Sequence, residues 1–341
     1  MSRYDKNINN LFLYWLIISL VLVFFIIIVG GLTRLTNSGL SITEWELFKG
    51  IFPPLNQETW EFYFNEYKKI PQYEILNPQM HLSEFKIIFY WEYFHRLIGR
   101  IIGLFFLIPL LFFYYTKSIK KNYISTCFKI FLLIVLQGTI GWYMVRSGLV
   151  NDVTVSHFRL SLHLGIAVII IACIFWIILN ALKNTNRIFF KFKKQNMPFL
   201  FLILLIFLQI ILGAFVSGLD AGQIYQTWPL MGYTYFPNDL VFINKNIFIN
   251  FNNHSLVQFY HRNLAYFITF YILALVIYIY NKRLMNLYSA MKLVIIFLFI
   301  QVFLGVFTLL SGLNIFLASA HQITSVILVI SAINLYYFQA K

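Results

Sequence analysis

Four of the seven histidines stand where chemistry is expected of them. His95 lies in WEYFHR (91–96) and His261 in VQFYHR (257–262). His163 lies in SLHL (161–164) and His321 in SAHQ (319–322). Each falls in the first turn of a long apolar run, where an ionisable side chain is expensive to keep and usually serves function. One imidazole from each of two helices at similar depth suits the axial ligation of a haem iron inside a helical bundle. A zinc site would ask for three or four ligands in one cluster, so a pair is too few. Arg96 and Arg262 directly follow their histidines. A guanidinium grips a carboxylate through two hydrogen bonds, which makes both residues candidates for haem propionates; snorkelling to the membrane interface is the structural alternative.

The sharpest feature is an asymmetry. Glu92 lies three residues before His95 and shares its helical face, whereas the matching residue in the second half is Gln258. A carboxylate beside an iron ligand at membrane depth must be paired or used. Arg96 is the structural partner at hand, and a proton acceptor or electrostatic group is the functional role. His157, His81 and His254 are expected at the surface. Arg100 and Arg159 are further basic candidates with no basic counterpart in the second half.

Composition dictates what positions these residues. Of 341 residues, 60% are hydrophobic and only 11% charged, against about 25% charged in ordinary soluble domains. Spanning a bilayer takes about 20 apolar residues per helix. Eight runs qualify, at roughly 11–32, 87–115, 124–145, 157–181, 197–217, 257–280, 288–310 and 315–338. Their length and lack of alternation argue for helices rather than spanning strands. The fold expected is an all-α integral membrane protein.

The net charge of +14 would suggest nucleic acid in a soluble chain. Here it reports topology, and no nucleic acid is expected. With both termini cytoplasmic, 15 of the 26 basic residues and one of the 12 acids fall on the inner side, as the positive-inside rule requires. All the histidines and two long segments, about 33–86 and 218–256, then lie outside. Residues 56–69, with Trp60, Phe62, Tyr63 and Tyr67 among charges, read as an interfacial helix. Cys127 and Cys173 lie far apart in apolar runs and imply no disulfide.

The chain also repeats itself. Gly30–Trp45 aligns with Gly213–Trp228 at an offset of 183, and His95 with His261 at 166. LQGTIGWYMVRSGL (136–149) aligns with IQVFLGVFTLLSGL (300–313) at 164, and His163 with His321 at 158. Four collinear matches imply two tandem pseudo-symmetric four-helix bundles, 1–185 and 186–341. An even number of helices per unit makes the repeat parallel.

GGLTRLTNSGLSITEW (30–45), EFKIIFYWEYFHRLIGR (84–100), GWYMVRSGL (141–149), RLSLHL (159–164), GAFVSGLDAGQIYQTWPLM (213–231), QFYHR (258–262) and AHQ (320–322) together resemble the haem A synthase family over nearly the whole chain. No cysteine stands in the first outer loop, which is similar to the cysteine-free branch of alphaproteobacteria and mitochondria. The resemblance implies oxidation of the C8 methyl group of haem O to a formyl group through a hydroxymethyl intermediate, giving haem A for cytochrome oxidase. It implies haem b held by His261 and His321, the substrate haem at His95 and His163, and a functional role for Glu92. It further implies a place in the cell inner membrane among lipid, with the farnesyltransferase that makes haem O and oxidase assembly factors as partners; a homo-oligomer is left open. Two other readings compete. A di-haem membrane electron-transfer cytochrome would explain the histidines but not Glu92 against Gln258. A transporter would show polar or broken midplanes, and these are Phe, Ile, Leu and Val.

Overall fold

A computed structural model describes residues 3–45, 49–151, 153–240 and 247–340. Among them the chain is built from ten α-helices: α1 (Arg3–Leu35), α2 (Gln57–Tyr67), α3 (Pro71–Leu76), α4 (Leu82–Thr116), α5 (Lys121–Asn151), α6 (His157–Leu182), α7 (Met197–Gly218), α8 (His254–Asn281), α9 (Tyr288–Leu310) and α10 (Ile315–Gln339). All but α2 and α3 are long and apolar enough to cross a membrane, so the eight-helix expectation holds. The chain divides into two compact units, Met1–Ile170 and Ile171–Lys341.

In the first unit α1 packs along α4, and α4 along α5. Trp15 of α1 is buried against Phe106, with ring centroids 4.8 Å apart, and its indole N–H donates to the Phe105 carbonyl at 3.1 Å. On the other face of α4, Leu104 and Ile108 are about 60% exposed. Side chains so apolar and so uncovered belong against lipid tails rather than water.

Helix α4 corrects two expectations. Its 35 residues make a rod of about 52 Å at 1.5 Å per residue, well beyond the roughly 30 Å of a bilayer core. It starts five residues before the apolar run because His81 and Glu84 form a capping box, in which the Glu84 carboxylate accepts the His81 backbone N–H at 2.8 Å. His95 is therefore the fourteenth helical residue, nearly four turns in rather than in the first turn. The other three histidines sit in the second or third turn of α6, α8 and α10.

The segment expected as an interfacial helix is helical over Gln57–Tyr67, capped by Asn56, whose side chain accepts the Thr59 N–H at 2.8 Å. Its apolar face is spent on protein. Trp60, Phe64 and Tyr67 pack on Phe85 and Phe89 of the projecting part of α4, at centroid distances of 5.0 to 5.2 Å. Leu40, Ile42, Tyr93 and Val155 complete this aromatic core, and Phe62 faces outward. His157 is likewise buried, not at the surface as expected.

In the second unit α7 packs on α8 and on α10, and α9 on α10. Tyr336 and Tyr337 are fully buried against Trp176, at 5.5 and 5.1 Å. Helix α8 begins at Asn253, whose side chain accepts the Leu256 N–H at 2.9 Å, and α10 at Asn314, which accepts the Phe316 N–H at 3.0 Å.

The segment before α8 is pinned by Asp239, which accepts the hydroxyls of Tyr225 at 2.5 Å and Ser255 at 2.7 Å. Partial burial pushes the Asp239 carboxyl up, but the bonds from Tyr225 and Ser255 outweigh it and hold it below its ordinary value. A carboxylate with a depressed folded-state pKa stabilises above its unfolded value and loses that contribution as pH falls through the folded one. Limited proteolysis of residues 219–253 should therefore accelerate on acidification through the carboxylate range. Asp239→Asn should be cleaved faster at neutral pH and respond less to acid. An undiminished acid response in that variant would discount the Asp239 anchor.

Candidate functional site

The four histidines are brought together as two pairs. His95 of α4 faces His163 of α6 with ring centroids 6.4 Å apart. His261 of α8 faces His321 of α10 at 6.5 Å. An iron held between two imidazole nitrogens at about 2.0–2.1 Å each, with about 1.1 Å from nitrogen to ring centre, needs about 6.3 Å between centroids. Both pairs meet that spacing. No group of three or more His, Cys, Asp or Glu gathers among the described residues, so the donor sets fit a porphyrin iron, which brings its own four equatorial nitrogens.

Each histidine is seated over a glycine of a neighbouring helix. A Cβ added at Gly30 would lie 2.8 Å from Cε1 of His95; at Gly141, 2.9 Å from His163; at Gly213, 3.1 Å from His261; at Gly305, 2.8 Å from His321. No side chain fits there without moving the ring. The sequence showed Gly30 and Gly213 as part of the repeat, but not that glycine recurs once per histidine. A further set of residues also went unread. Gln137 and Gln209, each one turn before its glycine, donate side-chain N–H to the backbone carbonyls of His163 and His261 at 3.0 and 2.9 Å. Gln301 occupies the same place before Gly305, and its backbone carbonyl lies 3.1 Å from Nδ1 of His321.

Glu92 is 3% exposed, and four donors converge on its carboxylate. Arg96 reaches Oε1 through Nη2 at 2.6 Å and Nε at 3.1 Å. The Ser41 hydroxyl and the Ile42 backbone N–H reach Oε2 at 2.8 and 2.9 Å. Both oxygens are thus engaged in holding the loop after α1 onto α4, one turn above His95. Arg96 extends the clamp, donating to the carbonyls of Ile42 at 2.9 Å and Glu44 at 3.2 Å beneath the Trp45 ring.

The second unit repeats this clamp without the carboxylate. Arg262 donates to the carbonyls of Tyr225 at 2.8 Å and Thr227 at 2.9 Å, which are the residues that align with Ile42 and Glu44. Gln258, in the place of Glu92, donates to the Tyr225 carbonyl at 2.9 Å. The two arginines therefore perform the same loop-docking task in both units, and only the first adds a buried carboxylate. A pocket of about 230 Å³ opens beside Arg96, lined also by Glu44, Trp45, Trp142 and Arg146. Arg159 turns instead to Tyr143, its guanidinium 4.6 Å from the ring. Among the described residues Cys127 and Cys173 are free thiols.

Residues 13–333 match the family model COX15-CtaA, described as cytochrome oxidase assembly protein. The "Heme A synthase" of Pelagibacter ubique is 50% identical over 319 residues, covering 93% of each chain. That of Flavobacterium johnsoniae is 42% identical, covering 93% of this chain and 94% of its own. That of Rickettsia bellii is 42% identical, covering 95% and 96%. With eight membrane-crossing helices, two facing histidine pairs and this match over nearly its whole length, the chain belongs to the COX15-CtaA family of cytochrome oxidase assembly proteins.

Proposed function

We propose that the chain is a haem A synthase of the cell inner membrane that oxidises the C8 methyl group of haem O to a formyl group. Converting –CH₃ to –CHO through –CH₂OH is a four-electron oxidation; written with water as the oxygen donor, it releases four electrons and four protons. A haem held by these histidines would supply the redox chemistry, tuned by ligation and burial, and an external oxidant takes the electrons. The bundle within 1–185 takes the substrate haem at His95 and His163. The bundle within 186–341 keeps haem b between His261 and His321. Glu92 acts beside the substrate, as the charged group that orients Arg96 and the overlying loop. Arg96 and Arg262 line the propionate ends. Both termini lie in the cytoplasm, placing the histidines near the outer leaflet. The farnesyltransferase that supplies haem O and oxidase assembly factors are the expected partners.

The observation that carries this reading is the spacing of the two histidine pairs, 6.4 and 6.5 Å, combined with a buried carboxylate at one pair only. Two alike haem sites would serve an electron-transfer cytochrome; unlike ones suit a catalytic and a supporting haem. The test is to express the chain with a source of haem O and extract the pigments. Haem A together with hydroxylated haem is the expected result. Bound haem b with no oxidised product would leave the cytochrome reading in its place.

A further inference from the structure

Three of the four glycine–histidine crossings carry a glutamine one turn before the glycine, and the fourth carries Ile26. The side chains at 137 and 209 tie the backbone carbonyls of their histidines, and residue 301 meets its histidine ring through its own backbone carbonyl. Gln137 ties the His163 carbonyl at 3.0 Å. Gln209 ties the His261 carbonyl at 2.9 Å. The Gln301 carbonyl takes Nδ1 of His321 at 3.1 Å, and its side-chain oxygen is fixed by the Thr324 hydroxyl. Ile26 supplies none of this; its Cδ1 rests against α4 at Gly99, one turn below His95. Nδ1 of His95 is buried with no hydrogen bond, and so is Nδ1 of His163, which keeps only its carbonyl tie. Thr324, too, is replaced in the first half, by the aligned Ile166.

From this asymmetry we infer that His95 is the releasable imidazole of the four, and that Ile26 makes it so. The inference rests on the reading that these histidines hold haem iron. An imidazole binding iron through Nε2 carries its proton on Nδ1. A partner for that proton fixes the ring and raises its basicity, and losing such a partner costs about 10–100-fold in metal affinity. Glutamine bonds across helices also lock the crossing itself. His95 has neither support. A porphyrin bound in the first unit is gripped from the His163 side and let go from the His95 side, which frees a coordination position and a way out. The second unit holds His261 by the Gln209 tie and the His321 ring by the backbone carbonyl of residue 301, and retains its haem. A substrate that enters and leaves needs the first arrangement; a resident cofactor needs the second.

The test exchanges the two residues. In the purified full-length chain, Ile26→Gln should raise the low-spin, six-coordinate fraction of haemin bound in the first unit. It should also slow transfer of that haemin to apomyoglobin about threefold, the worth of one interhelical hydrogen bond, with the second unit's spectrum unchanged. Ile26→Leu should behave as the parent. Gln209→Ile should speed haem loss from the second unit by about threefold. Unchanged spin state and transfer rate in Ile26→Gln would overturn the inference. Should that variant not fold, an unchanged transfer rate in Gln209→Ile would overturn it instead. His95→Ala separates this from the wider reading: if it leaves first-unit haemin unaltered, the ligand assignment itself fails.

Discussion

On the function proposed above, Glu92→Gln should lower haem A formation by at least about 100-fold, while the spectrum of haem bound at His261 and His321 should stay as in the parent. The size follows from the four donors around the carboxylate. An amide keeps one oxygen and replaces the other with N–H₂, which then points a donor either at the Ser41 hydroxyl and the Ile42 N–H or at Arg96. Whichever face is chosen, a buried donor meets a donor, and each such unmade bond costs about 1–3 kcal/mol. The Arg96 side chain, only 11% exposed, keeps its charge without its counter-ion. Losing one partner of a buried pair costs about 3–5 kcal/mol. A rate loss of 100-fold needs only about 2.7 kcal/mol, so local misplacement of Arg96 and the Ser41–Glu44 loop suffices. Gln258, carrying an amide in the equivalent place, shows the amide is tolerated where the loop presents a carbonyl, from Tyr225, instead of an N–H. Ile42→Pro, which deletes one donor to Oε2, should cost activity in the parent and less in Glu92→Gln. Haem A formation by Glu92→Gln within threefold of the parent would remove Glu92 from the reaction.

The helices were legible because length and hydropathy suffice to specify a membrane span, and the histidine pairs because the repeat doubled every signal. What escaped did so for physical reasons. The depth of His95 was misjudged since hydropathy marks only the lipid-crossing part of α4, and its first turns are helical for another cause, the His81–Glu84 box and the aromatic core under α2. Trp60 and Tyr67 look the same in sequence whether they face lipid headgroups or Phe85. The structural reading of Arg96 and the functional reading of Glu92 could be weighed but not joined. Only the fold brings Ser41 and Ile42, some 50 residues away in sequence, onto the same carboxylate. The glycines were visible as repeat markers, yet their meaning is a distance across helices, which no spacing along one helix contains.

That distance yields the second large effect. Gly305→Ala should strip most haem from the second unit while leaving thermal stability nearly unchanged. The added methyl would stand 2.8 Å from Cε1 of His321, against ordinary contacts of about 3.5–4.0 Å. Backbone is not what it meets. The ring is the far end of a side chain with two free torsions, so the collision is relieved by swinging the imidazole, and folding energy is barely touched; alanine in a helix even gains up to about 1 kcal/mol over glycine. Iron ligation has no such freedom, because a nitrogen moved by a few tenths of an ångström no longer reaches a metal that bonds at about 2.0–2.1 Å. Gly213→Ala, where the same methyl would stand 3.1 Å from His261, should lose less. The measurement is haem content per chain against melting temperature for both variants, with His321→Ala as the fully stripped reference. Full haem content in Gly305→Ala would show that His321 does not reach iron from this seat. A melting temperature well below that of the equally stripped His321→Ala would show that the glycine serves helix packing rather than the ring above it.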